Sequence, residues 1–246
     1  MNKRNVFLLA LLCLALCILC LILIQRRVIT SVCTAEYAVR GVDVSEYQGQ
    51  IDWNTLYNED VSFAFIKATE GSSYTDPYFY DNWSNARKSG VLTGAYHFFS
   101  FDSKAETQAD NFISTVSYTE NSLPPVVDIE FYGKYKRAHP NNKDYVISEL
   151  SCLLDRLEST YGKRPIIYTT ISTYREYIDD CFDDYPIWIR SVYLPAVWCI
   201  GNNWIFWQYS DKAKLPGYSG PESYIDMNVF NGTYEKLVKL SINGNS

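Results

Sequence analysis

The pattern of apolar and polar positions divides the chain into one long apolar run at the N-terminus and a series of short segments after it. Short apolar runs that are typical of buried strands lie at 40–44, 63–68, 92–98, 125–129, 165–169, 186–189, 204–208 and 224–228. Helical patterns separate the earlier runs, and this alternation favours an α/β fold with a parallel sheet. Eight is the number of strands that closes such a sheet into a barrel.

The helical pattern is strongest between the fourth and fifth strands. From Tyr145 to Tyr161 apolar residues recur on one face, and Gly162 ends the segment. Ser103 and Glu106 predict a capping box at the start of an earlier helix. Only a short turn at 174–178 separates strands five and six, and no clear helix lies between strands six and eight. We therefore predict a TIM-barrel-like (β/α) barrel with an incomplete helical ring.

The N-terminal run is long enough to cross a membrane. Residues 6–24 are 19 consecutive apolar residues. A membrane-spanning helix needs about 20, whereas the apolar part of a cleavable signal peptide usually has about 7 to 15. We predict a signal anchor over 1–27 with its transmembrane helix at 6–24, a stalk over 28–38, and one domain over 39–240.

The charges beside the run do not orient the anchor. Lys3 and Arg4 precede it and Arg26 and Arg27 follow it, so the basic residues are balanced. A long signal peptide that is cleaved near Ala35 is the alternative.

Composition excludes some classes of function. The net charge of −6 and the pI near 5.0 leave no broad basic surface for phosphates, so nucleic-acid binding is not expected. The cysteines of the domain, Cys152, Cys181 and Cys199, show no zinc-binding spacing, and neither a metal nor a cofactor is predicted. Cys181 with Cys199 is the expected disulfide, if one forms. Aromatic residues make up 16% of the chain, which suits a cleft that stacks rings on sugars.

Two carboxylates at the end of the fourth strand suggest acid–base chemistry. Asp128 and Glu130 are two residues apart, so on a strand their side chains point to the same side. Like charges so close together raise one pKa, and an acid that stays protonated near neutrality can protonate a leaving oxygen. We expect Glu130 to be that acid and Asp128 to remain ionised.

Asp43 and Asp226 also follow short apolar runs. In a parallel barrel the carboxyl ends of all strands meet at one face, where such enzymes place their active sites. The sequence therefore predicts four carboxylates from three strands in one catalytic centre. Lys67 and Glu70, beside the end of the second strand, predict an internal ion pair.

Seven motifs in this order resemble glycoside hydrolase family 25, the Chalaropsis-type lysozymes. They are 41–45 with Gln48-Gly49, 65–71, 94–98, 128–130, 167–169, 207–209 and 225–228. The resemblance implies a barrel-like fold and hydrolysis of the β-1,4 bond from N-acetylmuramic acid to N-acetylglucosamine in peptidoglycan. Arg190 departs from the family, which more often has alanine there.

The resemblance also implies roles for further residues. It favours attack by the substrate's own acetamide group, with Asp128 or Asp226 as its partner and Asp43 orienting the other acids. Five residues at strand ends are expected to bind substrate: Tyr96, Tyr168, Trp188, Trp207 and Gln208.

The resulting hypothesis is a monomeric muramidase on the bacterial membrane, held by a single-pass anchor with its catalytic domain outside. Its expected partners are peptidoglycan and the membrane, with secretion after signal cleavage as the alternative. Two other functions stay open. One is a glycan-binding surface protein without turnover, which loss of Glu130 or Asp128 would have favoured, and the other is hydrolysis of another acetamido polymer such as chitin.

Overall fold

A closed barrel of eight strands is the centre of the computed structural model, which describes residues 2–25, 28–117, 121–140 and 142–241. Arg26 and Arg27, predicted to end the anchor, lie outside the described residues. The strands are β1 (Arg40–Val44), β2 (Val61–Glu70), β3 (Tyr74–Thr75), β4 (Leu92–Phe98), β5 (Val126–Ile129), β6 (Ile166–Thr170), β7 (Ile187–Arg190), β8 (Phe206–Ala213) and β9 (Ile225–Phe230).

The strands pair in a mixed pattern. Parallel pairing runs from β1 through β2, β4, β5, β6 and β7 to β8. β9 closes the ring between β8 and β1 and is antiparallel to both, while β3 is a short antiparallel partner of β2 outside the ring. The predicted closed eight-stranded barrel is confirmed, but its sheet is not wholly parallel. Residues 214–224 contain no helix, and so short a connection returns the chain antiparallel.

The helices lie outside the barrel. They are α1 (Lys3–Gln25), α2 (Val28–Cys33), α3 (Trp53–Asn58), α4 (Phe79–Lys88), α5 (Ala105–Thr115), α6 (Lys143–Tyr161), α7 (Ile171–Thr173), α8 (Ala196–Ile200) and α9 (Tyr234–Leu240). A π-helical turn, Tyr174–Ile178, follows α7. Between β6 and β9 no described helix exceeds five residues, so the helical ring is incomplete on that side.

The predicted helix at 145–161 is present as α6, and its sequence accounts for both ends. The Asn142 side chain accepts a hydrogen bond from the Tyr145 N–H at 3.0 Å, and Gly162 takes the left-handed conformation at the C-terminus, with φ of 69°. The predicted capping box of Ser103 and Glu106 is wrong. The first N–H of α5 instead donates to a carboxylate oxygen of Glu149 on α6, at 2.6 Å.

Alternate residues of the strands fill the barrel with aromatic rings. Phe65 of β2 stacks on Trp188 of β7 with 4.5 Å between ring centroids, and Phe206 of β8 lies edge-on to Phe65 at 5.1 Å. These residues form one buried cluster, separate from the larger cluster between the sheet and the helices. The neighbours of interior residues along each strand point outward, because the side-chain period of a strand is two.

The cysteines form no disulfide. All seven are free thiols, so the expected Cys181–Cys199 pairing is wrong. Cys181 is exposed in a turn, whereas the Cys199 sulfur lies 3.5 Å from the Ser191 hydroxyl. α1 has no buried residue and is long and apolar enough to cross a membrane. The segment at 28–36, expected as part of a stalk, forms α2 and a 3-10 turn at Thr34–Glu36.

Gly94 leaves the space that the Phe65 ring occupies. A Cβ at position 94 would lie 2.5 Å from Cε1 of Phe65 and 3.1 Å from the Leu123 side chain. We expect Gly94→Ala to lower the free energy of unfolding by about 1–3 kcal/mol, because an overpacked interior forces side chains from their rotamers. Urea unfolding measures this loss. The control is Phe65→Leu with and without Gly94→Ala. If the alanine costs as much beside leucine as beside phenylalanine, the ring is not the obstacle.

Candidate active site

A cleft of about 300 Å³ opens at the barrel edge where the parallel strands end. Six acidic residues line it: Asp43, Asp128, Glu130, Asp211, Glu222 and Asp226. Six aromatic residues also line it: Tyr47, Tyr96, Phe98, Tyr168, Trp188 and Tyr224. The structure thus brings the four predicted carboxylates into one cleft with three of the predicted substrate-binding residues.

Asp226 lies in this cleft as predicted, but the direction of its strand differs from the prediction. It was placed at the end of a parallel strand, but it is the second residue of the antiparallel strand β9. The start of an antiparallel strand lies at the same edge as the ends of its parallel neighbours. Asp226 therefore stands directly opposite Asp43 of β1 in the strand pairing.

Two amide side chains hold the Asp43–Asp226 pair. Oδ2 of Asp43 accepts hydrogen bonds from Asn228 Nδ2 at 2.7 Å and from Gln208 Nε2 at 2.8 Å. The same Gln208 amide is 3.2 Å from Asp226 Oδ2. Asp43 thus receives the shorter contacts and the larger number of donors, which favour its ionised form.

Aromatic groups fix the two amides in turn. The Tyr168 hydroxyl donates to Gln208 Oε1 at 3.1 Å, and the Trp188 indole N–H donates to Asn228 Oδ1 at 2.8 Å. Each amide therefore has its oxygen bound to an aromatic donor and its nitrogen turned to a carboxylate. Gln208 is buried behind the acids, so in this structure it orients them and does not line the cleft.

The pair cannot carry two full negative charges at this depth. Burial, and then the neighbouring Asp43 carboxylate, raise the pKa of Asp226 to about 9. Burial also raises the pKa of Asp43, but the Asn228 and Gln208 amides oppose that rise. At neutral pH Asp226 therefore keeps its proton, and the two amides favour the negative charge on Asp43.

The pKa values of Asp128 and Glu130 are both raised, which differs from the expected division. Burial raises the pKa of Asp128 well above its usual range, and the charge of Glu130 adds to this. Burial also raises the pKa of Glu130, but the Arg190 guanidinium opposes the rise. Asp128 lies within β5 and its Oδ1 has no hydrogen-bond partner in the described protein, whereas Glu130 lies beyond the strand end, nearer the cations. This shift opposes the expected ionisation of Asp128, which stays a prediction.

Arg190 extends the acidic site to β7 and β8. Its guanidinium Nη2 lies 2.7 Å from Asp211 Oδ2, and its charge acts on both Glu130 and Asp226. The sequence marked this arginine only as a departure from the family. Lys67, expected in an ion pair, lies 2.7 Å from Glu70 and also lines the cleft.

Trp207 lies on the other side of the sheet from the cleft. Its indole N–H donates to the Ser191 carbonyl at 2.8 Å, and its ring packs against Trp204 with 6.0 Å between centroids. It follows the inward-facing Phe206 by one residue, so the strand period turns it outward.

Tyr47 and Tyr224 also line the cleft, but the sequence analysis did not single them out. Tyr47 follows β1 and Tyr224 precedes β9, and neither belongs to a pattern that would have indicated a role. Among the residues that the structure describes, no group of three or more His, Cys, Asp or Glu side chains is arranged to hold a metal ion.

Comparison with known proteins identifies the family. Residues 42–218 match the model of glycosyl hydrolases family 25. The chain belongs to this family. It is therefore a glycoside hydrolase, and the resemblance inferred from the motifs is confirmed.

Similar proteins cover most of the chain. A solved structure of a family 25 glycosyl hydrolase from Bacillus anthracis is 48% identical, with a TM-score of 0.78, over 83% of this chain and 94% of that one. Lysozyme M1 of Streptomyces globisporus is 33% identical over 83% of this chain and 72% of its own length. An N,O-diacetylmuramidase of Chalaropsis sp is 27% identical over 82% of this chain and 99% of its own length.

The proton that Asp226 keeps at neutral pH predicts how the stability of the protein depends on pH. Folded Asp226 keeps its proton up to about pH 9, whereas an unfolded aspartate loses it near pH 4. Between these values the folded state binds more protons, so the free energy of unfolding falls as pH rises. Asp226→Asn cannot ionise and should lack this fall. Its stability relative to the native protein should increase with pH, by at most about 1.4 kcal/mol per pH unit.

Urea unfolding of both proteins at about pH 5, 7 and 9 measures the difference. Asp81→Asn, on the exposed face of α4, is the matched control. If the free energies of unfolding of native protein and Asp226→Asn differ by the same amount at every pH in this range, Asp226 does not keep a proton in the folded state.

Proposed function

We propose that this glycoside hydrolase is a muramidase that cleaves the β-1,4 bond between N-acetylmuramic acid and N-acetylglucosamine in peptidoglycan. The observation that carries the proposal is the cleft with four carboxylates at the edge of the barrel, of which Asp128 is buried and the other three are half-buried. The names of the relatives, lysozyme and N,O-diacetylmuramidase, support the substrate class.

Glu130 is the proposed general acid. It lies just beyond β5, next to open cleft, where a glycosidic oxygen can approach it. Burial raises its pKa and so favours the protonated form that a general acid requires. After the bond breaks, the Glu130 carboxylate accepts a proton from the incoming water.

Asp128 is the proposed partner of the substrate's acetamide. Its Oδ1 is a buried acceptor without a donor, and an acetamide N–H at the scissile sugar would supply one. A donor there also lowers the pKa of Asp128, so substrate binding favours the ionised form. The carboxylate then holds the acetamide oxygen against the anomeric carbon and stabilises the charged ring that its attack forms.

Asp43 and Asp226 complete the electrostatic environment. Both line the same cleft in a geometry that Gln208 and Asn228 fix before substrate binds, and the amide donors favour a negative charge on Asp43. A fixed negative charge stabilises the positive charge that develops at the anomeric carbon in the transition state. Tyr96 is half-buried in the cleft wall and has ring surface for a sugar, whereas Tyr168 and Trp188 are buried at the base of the cleft.

We further propose that α1 is a signal anchor that leaves the catalytic domain outside the cell. Its 23 residues rise about 34 Å, enough for a hydrocarbon core of about 30 Å. The orientation follows from the proposed substrate, since peptidoglycan lies outside the membrane. Flotation of the full-length chain with phospholipid vesicles tests the insertion.

The new reducing end tests the proposed bond. Digestion of purified peptidoglycan, followed by borohydride reduction and mass spectrometry, should yield reduced N-acetylmuramic acid at the cut ends. Reduced N-acetylglucosamine would contradict the proposed bond. Chitin as the better substrate would favour a different acetamido polymer, and intact glycan throughout would favour a binding protein.

Glu130→Gln should remove nearly all activity and leave the fold and substrate binding unchanged. The amide keeps the shape of the side chain but cannot donate an acidic proton, and general acid catalysis contributes about 10²- to 10⁴-fold. Release of soluble muropeptides measures the rate. Glu235→Gln, an exposed acid on α9, is the matched control and should keep full activity. A loss of less than about tenfold in Glu130→Gln would mean that another group is the acid.

Arg190 should set the basic limit of the pH–activity profile. Its charge opposes the raised pKa of Glu130, so Arg190→Met should raise that pKa and move the basic limb of kcat/KM to higher pH. Arg190→Lys keeps the charge and should keep the limb near its native position. The pH dependence of kcat/KM for the native protein, Arg190→Met and Arg190→Lys measures this shift. A basic limb that moves to lower pH in Arg190→Met would exclude Glu130 as the group that must stay protonated.

A further inference from the structure

Exposed apolar side chains gather on the side of the barrel where α1 joins it. Six residues form this anchor-side face: Val28, Val32, Tyr193, Leu194, Val197 and Trp198. Trp198 is 64% exposed, whereas the other five tryptophans are buried or half-buried. Tryptophan is highly buried on average in soluble proteins, whereas its rings are enriched where a protein meets the headgroups of a bilayer.

Contacts connect the two parts of this face. The Thr30 hydroxyl of α2 donates to the Val192 carbonyl at 3.4 Å, just after the end of β7. The Ser191 hydroxyl donates to the Leu194 carbonyl at 2.7 Å and lies 3.5 Å from the Cys199 sulfur of α8. The loop after β7 and α8 therefore fold back together next to α2.

The segment between α1 and the barrel packs against the barrel, and its connection to α1 is short. Only two residues separate Gln25 from Val28, so the end of α1 lies within about 10 Å of the start of α2. Thr30 and Thr34 are buried, and the Tyr37 ring packs against Trp204 with 5.5 Å between centroids. A bilayer that holds α1 thus lies close to the part of the chain that packs on the barrel.

The docked segment meets the barrel near its catalytic edge. Thr30 contacts the chain just beyond the end of β7, and Gln25, Thr30 and Ser31 border a hollow with Tyr209 and Lys212 at the end of β8. These strand ends lie at the edge that carries the cleft, because β7 and β8 are parallel. Lys212 is exposed, so a cation lies where anionic headgroups would be.

We propose that the anchor-side face lies on the outer surface of the phospholipid bilayer and holds the cleft beside the membrane. This inference rests on the proposed anchor and adds a second, interfacial contact to it. The enzyme would then act on glycan strands next to the membrane and not on the outer layers of the wall. α4 lies on the opposite side of the barrel, where Tyr80 is 60% exposed and should remain in water.

Fluorescence quenching by lipid tests this arrangement. The full-length chain is inserted into vesicles of phosphatidylcholine and phosphatidylglycerol that carry a spin label near the headgroup. The signal of Trp198 is the difference between native protein and Trp198→Phe. The control probe is Tyr80→Trp in the Trp198→Phe background, and Leu194→Trp in that background is a second probe of the anchor-side face.

We expect spin-labelled lipid to quench the Trp198 and Leu194→Trp signals several-fold more than the Tyr80→Trp signal, with iodide in the water showing the reverse order. Protein that floats with the vesicles but shows equal quenching at all three positions would overturn the interfacial contact and leave the anchor intact. Protein that does not float would overturn the anchor and this inference with it. Cleavage of peptidoglycan by the same samples is scored separately, so failure of the muramidase proposal is distinguishable from both.

Discussion

The carboxylate pair of Asp43 and Asp226 is the constraint on which the site depends. The two acids face each other where β9 closes the barrel against β1, and the Gln208 amide contacts both. The two acids cannot both be ionised beside each other, so one of them, Asp226, keeps its proton. The antiparallel direction of β9 is what makes this possible, since it places the start of that strand at the edge where β1 ends.

The packing below the acids explains why their pKa values are raised. Phe63, Phe65, Trp188 and Phe206 fill the barrel under the cleft, and their rings replace the water that would otherwise stabilise charge. Burial is accordingly the largest cause of the shift at Asp43, Asp128, Glu130 and Asp226. The same core connects to the site through Trp188, which packs on Phe65 and donates a hydrogen bond to Asn228. Stability of the barrel and orientation of the acids thus share side chains.

Local patterns predicted much of the fold, whereas contacts between distant segments were beyond them. The runs at 40–44 and 92–98 match β1 and β4 at both ends, and α6 follows its apolar stripe and its glycine. Strand direction is not a local property, so β9 was read as parallel although Asp226 was still assigned to the correct edge. Ser103 did not cap α5, because Glu149 from another helix satisfies the free N–H.

In the candidate active site, too, local patterns predicted some features, whereas others depend on contacts between distant segments. The motif Asp128-Ile129-Glu130 indicated two acids in one cleft, but their ionisation depends on Arg190 and on a missing donor at Asp128, which only the folded chain reveals. Trp207 was expected in the cleft because it lies near a strand end, yet a shift of one residue decides which face of the sheet a side chain joins. Gln208, expected to bind substrate, instead holds the two acids.

Infrared spectroscopy of protein labelled with ¹³C at the aspartate carboxyl groups tests the central claim most directly. The account predicts that the carboxylic acid absorption at neutral pH contains a component that persists until about pH 9, and that this component alone is missing in Asp226→Asn. Spectra in which every aspartate is ionised above about pH 5, in native protein and variant alike, would contradict it.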